Sequence, residues 1–266
     1  MTDFLINKTN ADDLNTLKKE FLKSISTPRD GMWEAFVTMA DHYSINHENN
    51  VIGYCVINEE HKILQFHVDK KFDQSQIFKQ IISEKNATGA FASTVEPQFL
   101  SLCMDHQKSV SVNALMYQVQ KNTPIEKAKF PDRSEFKLMD EASLETAVQF
   151  AHKTIGADQG WLNYYYLGLI KRKELFGLWL AGELIATGEC RVSDIQKPAA
   201  DLGMIVSNDH RDMGIATNII RHLLNLCNER NLDSICSTEA DNIAAHKAIT
   251  KSGFISGHRI LEISFT

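Results

Sequence analysis

With 266 residues, 43% of them hydrophobic, the chain can bury one large core or two modest ones. Its 28 Lys and Arg against 34 Asp and Glu give a formal charge of −6 with no dense basic run, which argues against a nucleic-acid partner. A small anionic cofactor remains open, because backbone amides rather than net charge can bind it.

The elements follow in chain order. Asn10 reads as the N-cap of an amphipathic helix carrying Leu14, Leu17, Phe21 and Leu22, and Trp33, Phe36, Val37 and Ala40 suggest a second. Strands are expected at His42–Ile45, Val51–Ile57 and Ile63–Val68, separated by turn-rich Asn and Glu clusters. A helix with Ile77, Phe78, Ile81 and Ile82 precedes a strand at Ala90–Val95, a short helix after Pro97 and a strand around Val110–Val119. Lys121–Ser134, polar and holding Pro124 and Pro131, reads as a linker between a domain over 1–120 and a second over 135–266.

After the linker the order starts again. A strand at Phe136–Met139 leads to a helix capped by Ser143, then an aromatic helix over Trp161–Leu169. Strands follow at Leu175–Leu180, Leu184–Val192 and Ala200–Val206, then a helix Ile215–Arg230, a strand Ser234–Thr238, a helix Asn242–Lys251 and a strand Arg259–Phe265. The recurrence suggests two copies of one fold, with Val51–Tyr54 matched to Leu175–Leu178 and Ser93-Thr94 to Ser237-Thr238. From Val68 to Ser93 is 25 positions and from Val206 to Ser237 is 31, so the second copy carries 6 more residues where a glycine motif lies.

That motif is the segment with chemistry. An apolar strand ends at Val206, a polar turn follows, and Gly214 opens a helix whose apolar face is Ala216, Ile219, Ile220, Leu223, Leu224 and Cys227. A strand, a tight loop and a helix N-terminus make an anion site, since first-turn N–H groups have no partner of their own and the helix dipole adds positive potential. Gly214 and the small Ala216 keep the backbone approachable, and Arg211 can add a charged contact.

Arg211-x-x-Gly214-x-Ala216 after a valine-ended strand resembles the coenzyme A signature of the GNAT acetyltransferase family. A second family element follows: Asn242, Ala245 and the Gly253-Phe254 pair that ends the next helix. The resemblance covers Glu135 to Thr266, and the first half only in the order of its elements. It implies an α/β (α+β) fold, the GNAT acyl-CoA N-acyltransferase fold in two tandem copies, each with a mixed, mostly antiparallel sheet flanked by helices. It also implies acetyl-coenzyme A as co-substrate. Met204, Ile205 and Val206 then lie beside the pantetheine arm, with Gly203 marking a bulge that splays the strand. Arg211, Asp212, Met213, Gly214, Ile215, Ala216 and Thr217 wrap the pyrophosphate, and Asn242 bonds the pantetheine or its own neighbouring backbone.

The family's chemistry is direct transfer of acetyl to an amine, which needs an unprotonated nitrogen, a donor for the oxyanion and a proton for the thiolate. The family's tyrosine acid sits seven residues after the asparagine, where this chain has Ile249. His246, one turn earlier, is a candidate acid, with a surface histidine as the plainer reading. Glu189 and Glu239, in or beside strands bordering the cleft, are candidate bases, with exposure to solvent as the plainer fate. The family's catalytic Glu position falls at Ala200, with Asp201 one place off on the opposite face, so that role is not transferred. Trp161, Asn163, Tyr164, Tyr165 and Tyr166 crowd the region where an acceptor would bind.

In the first half, Val68–Gln76 has no glycine and bulky side chains where phosphate would approach, so that half is expected not to bind coenzyme A. The acceptor is expected to be a small-molecule or peptide amine; an acyl-coenzyme A binding module without turnover is the alternative reading. No metal is expected: the five separated cysteines, without C-x-x-C, read as buried hydrophobes, and no His-Glu-x-x-His is present. Without a signal-like N-terminus or a bilayer-length apolar run, a soluble cytoplasmic protein with no membrane partner is expected. The oligomeric state is open, a homodimer included.

Overall fold

The computed structural model describes residues 4–119 and 124–266. Residues 1–3, at the start of the expected first domain, and 120–123, where it was expected to meet the linker, lie outside the described residues. The chain forms two compact units, one from the described residues of Met1–Met116 with Gly257–Thr266, the other from those of Tyr117–Ser256.

The first unit runs β1 (Leu5–Thr9), α1 (Asn15–Ser24), α2 (Gly31–Met39), β2 (Asp41–His47), β3 (Asn50–Ile57), β4 (Lys62–Val68), α3 (Gln74–Glu84), β5 (Gly89–Ser93), α4 (Pro97–Asp105) and β6 (Ser109–Val119). The second runs β7 (Ser134–Leu138), α5 (Leu144–Ile155), α6 (Gln159–Arg172), β8 (Leu175–Leu180), β9 (Glu183–Val192), β10 (Ala199–Val206), α7 (Ile215–Glu229), β11 (Asp233–Glu239) and α8 (Ile243–Lys251), and β12 (Phe254–Ser264) follows. The element order repeats as expected. The finer match does not: Leu175–Leu180 corresponds in order to Asp41–His47, and the strand beginning at Asn50 to Glu183–Val192, one strand later than the sequence likeness suggested.

In the first unit the sheet order is β1-β2-β3-β4-β5-β12-β6, so the segment after Gly257 completes the sheet of the N-terminal half. From β1 through β5 to β12 the pairing is antiparallel except between β4 and β5, which are parallel. In the second, β11-β10-β9-β8-β7 follow in line, parallel only between β10 and β11. This is the mixed, mostly antiparallel sheet that the resemblance implied.

Strand alternation sorts the first unit's core onto two faces. Cys55, Ile57 and Phe66 meet Ile77, Phe78 and Ile81 of α3 and Phe99 of α4. Tyr54, Val56 and Leu64 meet Phe21 of α1 and Trp33 and Val37 of α2. In the second unit one sheet face is covered by α5 and α6 through Ala147, Val148, Leu162, Tyr166 and Leu169, with Ile205 of β10 packed against them. The aromatic helix therefore buries Leu162 and Tyr166, while Trp161 and Tyr165 stack at 4.8 Å at the edge of that core and Tyr164 is exposed.

Several local expectations are corrected. Asn10 makes no side-chain cap, because a 3-10 turn at Ala11–Leu14 precedes α1. Asp140, not Ser143, does the capping before α5, its carboxylate accepting the Ser143 N–H at 3.0 Å. Phe36 is exposed, since Trp33 and Val37 define the buried face of α2. β1 was not legible: its polar LINKT run buries only Ile6. All five cysteines are free and buried, as the composition implied.

Residues 124–133 form neither helix nor strand, yet they lie along α7. The Lys129 N–H donates to Asn218 Oδ1 at 2.9 Å, Glu126 pairs with Arg221 at 2.6 Å, and Phe130 stacks on Phe136 at 5.1 Å. From the other side α7 is held tight by Gly188 of β9, where an added Cβ would come within 2.8 Å of Ile219 Cγ2 and 2.9 Å of the Phe136 ring. Gly188→Ala is therefore expected to lower unfolding stability by about 1–2 kcal/mol, read from a denaturant midpoint.

Candidate active site

Parallel pairing of β10 with β11 covers only Ala199–Asp201 against Asp233–Ile235. From Leu202 onward β10 keeps its ladder with β9 through Val206 but has left β11. The gap between the two parallel strands exposes one backbone edge of Gly203–Val206, to which an extended amide-bearing chain could add as a strand does. The expected bulge at Gly203 is absent: the register with β9 passes through Gly203↔Glu189 without a shift. The strands part because their shared ladder ends, not because a residue is inserted. Met204, Ile205 and Val206 are half-buried along this edge.

Past Val206 a short turn at Asn208–His210, tied by Ser207 Oγ to His210 Nδ1 at 2.8 Å, leads to the loop. Arg211 is extended and exposed. Asp212 and Gly214 take left-handed backbone at φ 62° and 76°, a conformation that suits glycine far better than other residues. Gly214 is the N-cap of α7 and, lacking a side chain, leaves the helix start uncapped. Among the described residues, the N–H groups from Asp212 to Thr217 have no backbone acceptor; Asn218 is the first that does, bonding Gly214 O at 3.1 Å. Met213 is exposed, Ile215 buries its side chain, and Ala216 and Thr217 are half-buried. A row of free amides at the positive end of a 15-residue helix suits a diphosphate. Asn242 caps α8, its Oδ1 accepting the Ala245 N–H at 3.1 Å.

The candidate bases separate by environment. Glu239 is exposed at the end of β11. Glu189 is buried on β9 directly opposite Gly203, and its Oε2 accepts the Tyr165 hydroxyl at 2.6 Å. Arg191 stands two residues on, with Nε 3.6 Å from the same oxygen, and also binds the buried Asp201. Burial and the adjacent Glu189 carboxylate push the Tyr165 hydroxyl far up, so it remains a neutral donor. Asp201 does face away from Ala200, but that puts it on the face of Glu189, Arg191 and Tyr165. Strand alternation alone predicts the facing, but the groups that share that face come from β9 and α6 and carry no local signal in the sequence.

His246 is not a surface residue. It is half-buried, and its Nδ1 is hydrogen-bonded to the hydroxyl of Tyr117, itself 1% exposed and on the end of β6 that belongs to the second unit. Tyr117 lies 129 positions away in sequence, and no local pattern marks it. Ile249 is buried and apolar, as expected of a residue that donates no proton. Among the described residues no group of His, Cys, Asp or Glu could hold a metal, and no helix is long and apolar enough to cross a membrane.

Comparison with known proteins accords with this geometry. The model of an acetyltransferase (GNAT) domain matches residues 10–120, and that of the acetyltransferase (GNAT) family matches 137–254. An acetyltransferase of the GNAT family from Colwellia psychrerythraea is 38% identical, over 98% of this chain and 100% of its own, with a TM-score of 0.91. A GCN5-related N-acetyltransferase from Sphaerobacter thermophilus shares the fold at 11% identity and TM-score 0.72, covering 97% of this chain and 94% of its own. So does a tandem GNAT protein from the clavulanic acid biosynthesis pathway, at 10% identity and TM-score 0.67, covering 99% of each chain. No curated protein matches the sequence. With a GNAT model matching in each half and a 38%-identical relative aligned end to end, the chain belongs to the GNAT acetyltransferase family, in its tandem form.

Proposed function

We propose that the second unit transfers the acetyl group of acetyl-coenzyme A to the amino nitrogen of a small molecule or peptide. The observation that carries this reading is the pairing of an open strand edge at Gly203–Val206 with the uncapped amides of Asp212–Thr217. The first fits a pantetheine and the second a diphosphate, the two parts of coenzyme A that any acyl donor of this kind presents.

In the proposed step the neutral amine attacks the thioester carbonyl carbon. The C–N bond forms, the C–S bond breaks, the nitrogen loses a proton and the thiolate gains one. Glu189 is the favoured base because it lies opposite Gly203, where β10 leaves β11. Its bond from Tyr165 and the nearby Arg191 fix the carboxylate's position. His246, bonded to Tyr117, is the favoured source of the thiolate's proton, one turn from the apolar Ile249.

The buried Ile249 also favours a second reading, an acyl-coenzyme A binding module without turnover. Incubation with acetyl-coenzyme A and a panel of primary amines separates the two. Amine-dependent thiol release with acetylated product is the result expected of transfer. Tight cofactor binding with no amine-stimulated release is the result expected of the module.

A further inference from the structure

A helix start is commonly ordered by a side chain that accepts its first amides. In the first unit α3 is built that way. The Asp73 carboxylate accepts the N–H groups of Ser75 and Gln76, each at 3.1 Å, so those amides are taken and the local charge is negative. At α7 the cap is Gly214, which has no side chain to offer, and the amides stay free. An ordered loop with free donors has to be held through its acceptors instead.

Asn218 holds it in that way. Its backbone N–H donates to Gly214 O at 3.1 Å, as in any helix, and its side-chain Nδ2 donates to the same oxygen at 3.0 Å. Gly214 C=O and Ile215 N–H belong to one planar trans peptide and point in opposite directions. Two bonds that draw the oxygen down the helix therefore turn the Ile215 N–H outward, past the open end of α7.

The other end of the Asn218 amide reaches away from the helix. Its Oδ1 accepts the Lys129 N–H at 2.9 Å. Reversing the amide would set its oxygen against the Gly214 carbonyl and its NH₂ against the Lys129 N–H, so the two partners fix its orientation. Lys129 is held by its own neighbours, Glu126 on Arg221 at 2.6 Å and Phe130 on Phe136 at 5.1 Å. Residues 124–133, which form neither helix nor strand, are thus bonded through one side chain to the peptide that opens α7.

We propose, on the reading of this loop as a diphosphate site, that Asn218 is a positioning residue for the cofactor and that residues 124–133 brace the Gly214–Ile215 peptide through it. Asn218 acts by aiming the Ile215 amide, not by touching the phosphate. The segment joining the two halves of the chain is then a working part of the cofactor site.

The test is calorimetric titration of the full chain with coenzyme A, beside an NMR titration with pantetheine, which lacks the phosphates, followed at the Gly203–Val206 amides. Asn218→Leu keeps the γ-branched shape and loses both side-chain bonds. It is expected to bind coenzyme A about fivefold more weakly and pantetheine within about twofold of the parent. Lys129→Pro removes the N–H donor from outside the loop and is expected to weaken coenzyme A binding about threefold. In both variants the Ile215 amide signal is expected to move less on coenzyme A addition than in the parent. Parental coenzyme A affinity in either variant, or an equal loss toward coenzyme A and pantetheine, would overturn the proposal and leave the cofactor reading standing. A parent chain that takes up no coenzyme A would overturn both.

Discussion

Replacing Gly214 with valine is expected to weaken coenzyme A binding about a hundredfold while the fold survives. Gly214 sits at φ 76°, where a β-branched residue is a steric outlier costing roughly 1–2 kcal/mol. Relief of that strain rotates the peptide units that carry the Gly214 and Ile215 N–H groups. Each lost bond to a charged phosphate is worth about 1.5–3 kcal/mol. An added Cβ would find only Asn218 Nδ2, at 3.8 Å, so crowding is not the cause and unfolding is not expected. Calorimetric titration with coenzyme A, beside a thermal unfolding curve, checks both halves of the statement. Undiminished uptake by the valine variant would remove the diphosphate from this loop.

The larger effect is expected at Glu189. Glu189→Gln preserves shape and still accepts the Tyr165 hydroxyl, but it cannot take a proton from an ammonium nitrogen. The turnover number is expected to fall by about 10²–10⁴-fold with coenzyme A affinity within about twofold of the parent. Glu239→Gln, at an exposed strand end, serves as the control and is expected to leave turnover within about twofold. Equal turnover in parent and Glu189→Gln would place the base elsewhere. A matched loss of turnover and cofactor affinity would instead mark Glu189 as a structural part of the Tyr165–Arg191–Asp201 cluster. Steady-state kinetics on any amine that supports thiol release distinguish these results.

The site was legible where chemistry depends on backbone. Arg211, Gly214, Ala216 and Asn242 occupy a strand–loop–helix sequence whose periodicity was plain, and the structure shows the left-handed glycine and the helix cap that such positions serve. Side-chain chemistry was less legible. Glu189 was one of several strand-end acids, and nothing local distinguished it from Glu239. Burial, the facing Gly203 and a tyrosine from a different helix made the difference. Tyr117 carried no signal at all, since its partner His246 lies in another element far along the chain.

The contrast between the two helix starts shows the same division. The absence of glycine in Val68–Gln76 excluded a phosphate loop, but only the coordinates show Asp73 occupying the amides itself. By itself the sequence determined the repeated order of strands and helices, the uncapped loop and the burial of the cysteines, because periodicity, glycine and apolar content act over a few residues at a time. Only the tertiary structure decided that Gly257–Thr266 completes the sheet of the first unit, that β10 parts from β11 after Asp201, and which acid is buried. Those outcomes depend on which distant segments pair, and pairing energy is shared among residues that no local window contains.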